Sequence, residues 1–272
     1  MTMNESVAHD YLTCLQAERQ PPSLAYLHRL IGLHLTTFPF ENISKFHYYT
    51  HLGKTGLNWL PDAEQFLQRF AGQGLGGNCY ILNAHFGALL QALGFQASPV
   101  RATGGNTHLG LMVTVEGRSY YVDVGYGAPL FDPLALEEQP RFTRFREEVE
   151  ISRLSGDQYR IDRRLNGNSL VAKCIEWRPA MLADFDEIIA HSLRDEDENP
   201  FMRRIVATLF RPDAAFGVVN RKLFVRTERG EETHEFVRRD DWLGMLRNTF
   251  GIERNMAEQA LAFLEERDVR LF

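Results

Sequence analysis

Apolar residues in the first third of the chain recur at mixed three- and four-residue steps, the spacing of helices with one buried face. Helices are predicted over 6–17 and 23–36, split by Pro21-Pro22, with Ser23 placed to cap the second. A third is predicted over 62–70, after Pro61. Gly72, Gly74, Gly76 and Gly77 then break the pattern. The helix predicted over 80–93 is apolar nearly all round, which suits the interior of a domain. Gly94 follows where a C-terminal cap belongs.

In the middle third the period changes to two. Strands are predicted over 109–115 and 119–124, joined by Glu116-Gly117, and over 148–153, 158–163 and 169–177. A connecting helix is expected over 182–193, and the acidic run Asp195-Glu196-Asp197-Glu198 reads as an exposed linker. The last third mixes strands at 206–210, 223–227 and 233–237 with helices at 240–250 and 255–266.

Composition fits one large domain or a few small ones. The chain has 272 residues, 44% hydrophobic and 24% charged, which excludes a disordered chain, a collagen and a coiled coil. No apolar run reaches the roughly 18 residues of a membrane span, and the start of the chain carries no signal-peptide pattern. The net charge of −6 speaks against a nucleic-acid binder. It is an average: from Arg203 to Arg239 nine Lys/Arg face five Asp/Glu, a local excess of +4 that suits a phosphate-bearing cofactor. Cys14, Cys79 and Cys174 are odd in number, scattered and without CxxC spacing. That speaks against disulfides and zinc, and for the reducing cytoplasm.

Only Cys79 has a setting that suits chemistry. Gly74-Leu75-Gly76-Gly77-Asn78-Cys79-Tyr80 places it at the first turn of the apolar helix. A helix N-terminus carries about +0.5 charge and unpaired N–H groups, which favour an anionic nucleophile and can hold an oxyanion. Glycines allow close approach of a backbone or acyl group. The same residues also fit an ordinary glycine turn before a buried core cysteine. The stretch lacks the Lys and Ser/Thr of a P-loop.

A thiolate nucleophile needs a histidine, and the histidine an orienting carboxylate. A two-residue loop at Glu116-Gly117 pairs Val115 with Arg118 and brings Gly110 opposite Asp123. His108 then lies diagonal to Asp123 on one face, roughly 7–8 Å away between backbones. Gly110 is expected to leave room for the imidazole to lean over. A three-residue loop would put His108 and Asp123 on opposite faces. His85 lies on another helical face from Cys79, which weakens any metal cluster of Cys79, His85 and His108.

These residues resemble the arylamine N-acetyltransferase family. The resemblance rests on Gly76-Gly77-Asn78-Cys79, His108, Asp123-Val124-Gly125-Tyr126-Gly127, Phe38-Pro39-Phe40-Glu41-Asn42-Ile43, Asn83 and Asn199-Pro200-Phe201. It implies an α+β fold: an N-terminal helical bundle (1–95), a central antiparallel β-barrel (96–199) and a C-terminal α/β lid (200–272). It implies a Cys79-His108-Asp123 triad with no metal, and ping-pong transfer of an acetyl or other acyl group from acetyl-CoA to an arylamine, hydrazine or related amine. Gly104, Gly105 and Thr107 are weaker candidates for contact with the donor. Phe40, Tyr126 and Phe201 are weaker candidates for pocket walls. Neither nucleic acid nor membrane is expected as a partner.

The sequence departs from the family where Leu75 stands for an arginine and Ile81 for a glutamate, and the first helix lacks a family arginine. Glu41 must then find other partners, among them Asn42, a tyrosine or backbone amides, or else take a raised pKa. The departures keep three alternatives open. They are an amide synthase acting on a substrate bound to an acyl carrier protein, a thiol hydrolase, and a binding protein with a decayed pocket.

Overall fold

The computed structural model describes residues 2–104 and 107–272. Five helices come first: α1 (Glu5–Cys14), α2 (Leu24–Thr37), α3 (Ile43–Leu52), α4 (Ala63–Gln73) and α5 (Cys79–Ala92). Local side chains set their starts. Ser23 accepts from the Tyr26 N–H, Asp62 from Gln65, and Asn78 from both Tyr80 and Ile81. Gly74, at φ +69°, ends α4 in a left-handed turn that a Cβ would strain. Every residue from Tyr80 to Leu90 is buried, so α5 is an interior helix, packed on α1 and on strands β2 (Gln96–Thr103) and β3 (His108–Val115).

The remaining strands are β1 (Phe40–Glu41), β4 (Arg118–Val122), β5 (Arg141–Arg144), β6 (Glu147–Ser155), β7 (Gln158–Leu165), β8 (Asn168–Glu176), β9 (Val206–Phe210), β10 (Ala215–Val219), β11 (Lys222–Arg226) and β12 (Glu231–Glu235). One antiparallel sheet has the order β4-β3-β2-β8-β7-β6-β5. Tyr121 on β4, near one edge, shares an apolar cluster with Val149 and Ile151 on β6, near the other. The sheet is therefore curled into a half-barrel around its own core.

The second antiparallel sheet has the order β1-β9-β10-β11-β12. It packs with α7 (Arg239–Met245) and α8 (Arg254–Glu265) around Trp242, Leu246 and Phe250. The same cluster takes Ile43 and Phe46 from α3, and Leu75. A further helix, α6 (Asp186–Ser192), leads towards the short 3₁₀ turn Pro200–Met202.

Several elements differ from the sequence reading, which also lacks strands β1, β5 and β10. Helix α3 has no amphipathic stripe because Ile43 through Tyr48 are all buried. Strand β2 contains Pro99, which argues against a central strand. The conflict is resolved locally, because β8 pairs only with Arg101, Ala102 and Thr103, leaving Pro99 on a free edge. The helix expected over 182–193 opens as a 3₁₀ turn before α6, and that over 240–250 continues past α7 as a π-helical turn, Leu246–Phe250.

Candidate active site

Cys79 is the first residue of α5 and stays partly exposed. The turn before it is clamped to β1: the Gly77 N–H donates to Pro39 O (3.3 Å) and the Glu41 N–H to Gly77 O (2.9 Å). A Cβ on Gly76 would sit 1.9 Å from Pro39 O, so only glycine permits this docking. The sequence reading expected several free N–H groups here. The cap is tighter than that, because Asn78 Oδ1 takes the N–H groups of Tyr80 and Ile81 and leaves that of Cys79 outside.

The hairpin register is the one the two-residue loop demands. Val115 pairs with Arg118 and Leu111 with Val122, and Glu116 (φ +54°) and Gly117 (φ +77°) form the turn. His108 Nε2 lies 2.6 Å from Asp123 Oδ2. The ring's other nitrogen, Nδ1, is the one left for Cys79, whose charge acts on the imidazole.

Gly110 has a different part from the one expected. A Cβ there would lie 2.6–2.7 Å from the Tyr121 ring and hydroxyl, so the space is filled by Tyr121 rather than by the imidazole. Tyr121 donates its hydroxyl to Asp123 Oδ2 (2.7 Å). On the other oxygen, Oδ1 accepts from Asn83 Nδ2 (2.8 Å) and the Gly125 N–H (3.0 Å). The carboxylate thus accepts four hydrogen bonds in a dry setting.

Asn83 completes the frame by donating to Leu109 O (2.7 Å) and accepting from the Val124 N–H (3.0 Å). This one residue of α5 ties β3 to the end of β4. Burial alone would raise the Asp123 pKa, but the His108 charge and these donors hold it below the usual carboxylate range. Burial would also strip His108 of its proton. The charges of Asp123 and Cys79 and their hydrogen bonds outweigh burial and raise it to about 9.

The weaker candidates scatter around this centre. Tyr126 packs on His108, ring centroids 5.0 Å apart. Phe40 and Phe201 meet edge to face at 6.5 Å. Thr107 O accepts from the Tyr80 hydroxyl (2.7 Å) and Gly104 O from Lys173 Nζ (2.9 Å). Gly105 lies outside the described residues. His85 faces Ile81 O and Pro61 O and stacks on Phe66, away from Cys79. Among the described residues no group of three or more His, Cys, Asp or Glu is placed to hold a metal.

Sequence reasoning missed several neighbours. Arg163 grips Glu147 with two hydrogen bonds (2.6 and 3.1 Å) and donates to Tyr126 O and Gly127 O, pinning the segment after Asp123. Two buried lysines, Lys45 and Lys173, also act electrostatically on Cys79. Leu75 and Ile81 are filled in by apolar packing, Leu75 beneath the second sheet and Ile81 against Gly77. Among the described residues Glu41 is consequently buried without an ion pair. Its Oε2 accepts from the Ser44 N–H (2.8 Å), Oε1 has no partner, and burial raises its pKa to about 7. Asn42 is not that partner, since it binds Phe201 O, Arg204 O and the Val206 N–H.

Comparison with known proteins follows the same lines. A family model described as N-acetyltransferase matches residues 23–259. The arylamine N-acetyltransferase of Mycolicibacterium smegmatis is 25% identical, covering 89% of this chain and 90% of its own. Proansamycin X synthase of Amycolatopsis mediterranei is 32% identical over 42% of this chain and 45% of its own. The fold is similar to that of Mycobacterium marinum arylamine N-acetyltransferase solved in complex with CoA. That match has a TM-score of 0.79 and 21% identity, and covers 97% of this chain and 99% of that one.

Proposed function

Starting from a chain that belongs to the arylamine N-acetyltransferase family, we propose that Cys79, His108 and Asp123 transfer an acetyl group from acetyl-CoA to an arylamine, hydrazine or related amine. In this reading residues 1–95 carry the nucleophile, 96–199 the histidine and aspartate, and 200–272 cover the site. The observation that carries it is the His108–Asp123 contact of 2.6 Å, on a ring that also feels the charge of Cys79. The CoA-bound relative supports CoA as the donor.

The steps balance as follows. His108 holds the thiol's proton, and the Cys79 sulfur attacks the thioester carbonyl carbon. The tetrahedral oxyanion collapses, the bond from carbon to the CoA sulfur breaks, and His108 returns its proton to the departing CoA. The amine nitrogen then attacks acetyl-Cys79, His108 takes the N–H proton, and the Cys79 sulfur leaves as the amide forms. Asp123 holds the ring with Nε2–H towards itself and steadies the imidazolium. The Cys79 N–H, outside the Asn78 cap, is a donor suited to the oxyanion.

Intact-mass spectrometry tests this. Acetyl-CoA alone should add one acetyl mass to the wild type and none to Cys79→Ala. Adding aniline or a hydrazine should clear the adduct far faster than buffer does. Clearance by water at the same rate would make the protein a thiol hydrolase. A wild type that takes no adduct at Cys79 from any acyl-CoA would sink the proposal.

A further inference from the structure

The segment 123–127 touches every member of the proposed triad. Asp123 opens it. Gly125 lies so close to the nucleophile that a Cβ there would sit 2.7 Å from Cys79 Cα. Tyr126 packs its ring on the His108 imidazole, centroids 5.0 Å apart. Yet the segment belongs to neither sheet, since β4 ends at Val122 and residues 123–127 form neither strand nor helix. Backbone outside a ladder moves unless side chains tie it down. Two side chains do so. Asn83 holds the start, accepting from the Val124 N–H (3.0 Å) and donating to Asp123 Oδ1 (2.8 Å). Arg163, from β7, holds the end.

The Arg163 Nη1 donates to Tyr126 O (3.0 Å) and Nη2 to Gly127 O (2.8 Å). Glu147 aims the guanidinium, accepting from Nε at 2.6 Å and from Nη2 at 3.1 Å. The fork thus uses four of the five N–H donors of an arginine. Strand pairing explains the aim. Arg163 pairs with Val149, so Glu147 is its diagonal neighbour on the same face of the sheet. The cation also stacks, with Cζ 4.8 Å from the Tyr126 ring centroid, so that ring meets Arg163 as well as His108. Across the segment, a Cβ at Gly127 would lie 3.1 Å from the Phe40 ring and 3.4 Å from Thr208 Oγ1. The segment is therefore seated between the half-barrel and the second sheet at the point where Arg163 grips it.

The ion pair is buried, Arg163 with 9% and Glu147 with 4% of its surface exposed. Removing two charges from water offsets most of what their attraction contributes, and an apolar pair of similar volume often serves stability as well. Stability alone is thus a weak reason for charge at this place. What an apolar side chain cannot do is grip two carbonyl oxygens and a carboxylate with one planar group. We infer that Arg163 is a positioning residue for acyl transfer, its guanidinium holding Tyr126 and Gly127 so that Asp123 and His108 stay aligned on Cys79. This rests on the acyl-Cys79 reading above. Arg163 acts through the segment and has no part in the bond-making steps.

The test compares the wild type with Arg163→Lys and with the double variant Arg163→Met/Glu147→Met. Lysine keeps the charge beside Glu147, but a single ammonium has no fork to span the two carbonyls. The double variant removes both charges together, so no buried carboxylate is left unpaired and the net charge is unchanged. Acylation by acetyl-CoA is followed by quench and intact mass, giving the saturating rate constant, the half-saturating concentration and their pH dependence, with melting temperature recorded separately. Both variants should acylate about 10- to 100-fold more slowly at saturation, as for a displacement on the order of 1 Å, with half-saturation little changed. The alkaline decline in rate, which His108 places near 9 in the wild type, should begin at lower pH in both, because an imidazolium drawn away from Asp123 is a stronger acid. A pair that served only the fold would lower the melting temperature and leave the rate constant and its pH profile in place. Folded variants that match the wild type in both overturn the inference and leave the function standing. Slowing confined to one of two folded variants overturns it as well, because the loss common to both is the fork. If only one folds, that one decides, and if neither folds, the pair belongs to the stability of the half-barrel and the inference falls. A wild type whose Cys79 takes no acyl group from any donor overturns the function itself, and the inference with it.

Discussion

Asp123→Asn is the sharpest test of the proposed site, because the geometry dictates how the amide must sit. Each Asp123 oxygen accepts two hydrogen bonds, Oδ1 from Asn83 and Gly125, Oδ2 from His108 and Tyr121. An amide has one oxygen and one NH₂. With NH₂ on the Oδ1 side it would face the Gly125 N–H and the Asn83 amide nitrogen, neither of which accepts a hydrogen bond. It must therefore turn NH₂ towards His108 and Tyr121. The Tyr121 hydroxyl can rotate to accept. His108 can accept at Nε2 only by moving its proton to Nδ1, the nitrogen that faces Cys79. The imidazole can then no longer take the thiol's proton, and burial lowers its basicity with no carboxylate to oppose it.

Loss of the orienting carboxylate with the wrong tautomer costs on the order of 10⁴-fold in analogous hydrolases. The acylation rate of Asp123→Asn should therefore fall about 10³- to 10⁴-fold, measured by quench and intact mass with acetyl-CoA. The disturbed hydrogen bonds should cost about 1–3 kcal/mol of stability, a melting shift of roughly 2–4 °C per kcal/mol for a chain near this size. In the wild type, His108 is protonated below about 9, so acylation should decline above that pH as the proton needed by departing CoA is lost. A folded Asp123→Asn that keeps more than about a tenth of the wild-type rate would refute the assignment.

Two further predictions follow from the packing. Glu41 titrates near 7 when folded against an ordinary value of 4.5, so its contribution to stability is full below the lower figure and lost as pH rises through the upper one. Glu41→Gln should therefore gain about 2–3 kcal/mol on the wild type between roughly pH 5 and 8.5, and parallel melting curves across that range would contradict it. A Cβ at Gly125 would lie 2.7 Å from Cys79 Cα, which is backbone, and 2.8 Å from Asn83 Nδ2, a side-chain amide held by Leu109 O and Asp123. Gly125→Ala should cost about 1–3 kcal/mol and, by displacing the nucleophile on the order of 1 Å, about 100-fold in acylation. Wild-type kinetics in that variant would refute the close packing.

What could be read in advance divides along a physical line. His108 and Asp123 were legible because strand pairing has a period of two and Glu116-Gly117 admits a tight turn, so parity alone brought them to one face. Cys79 was legible because a glycine turn before an apolar run marks a helix start. Both signals are local in the chain. The residues that place buried charge around the site are not. Lys45 meets Ser192 across 147 positions, and Arg163 meets Tyr126 across 37. The helix that holds Lys45 is buried along its first half, so no amphipathic period announced it.

Gly110 shows the same divide at one residue. Its place opposite Asp123 followed from the register, but what fills the missing side chain's space depends on the Tyr121 rotamer, which a register does not specify. Glu41 extends the point to energetics. The replacements at Leu75 and Ile81 implied a carboxylate without its cation, and among the described residues Oε1 has no hydrogen-bond partner, with Ser44 and backbone amides turned to the group. Leaving that charge uncompensated shifts its titration towards neutrality, whereas Lys45, four positions on, spends its ammonium on Ser192 O. Chemistry carried by backbone periodicity could thus be inferred from the chain. The distribution of buried charge depends on contacts that only the folded packing creates.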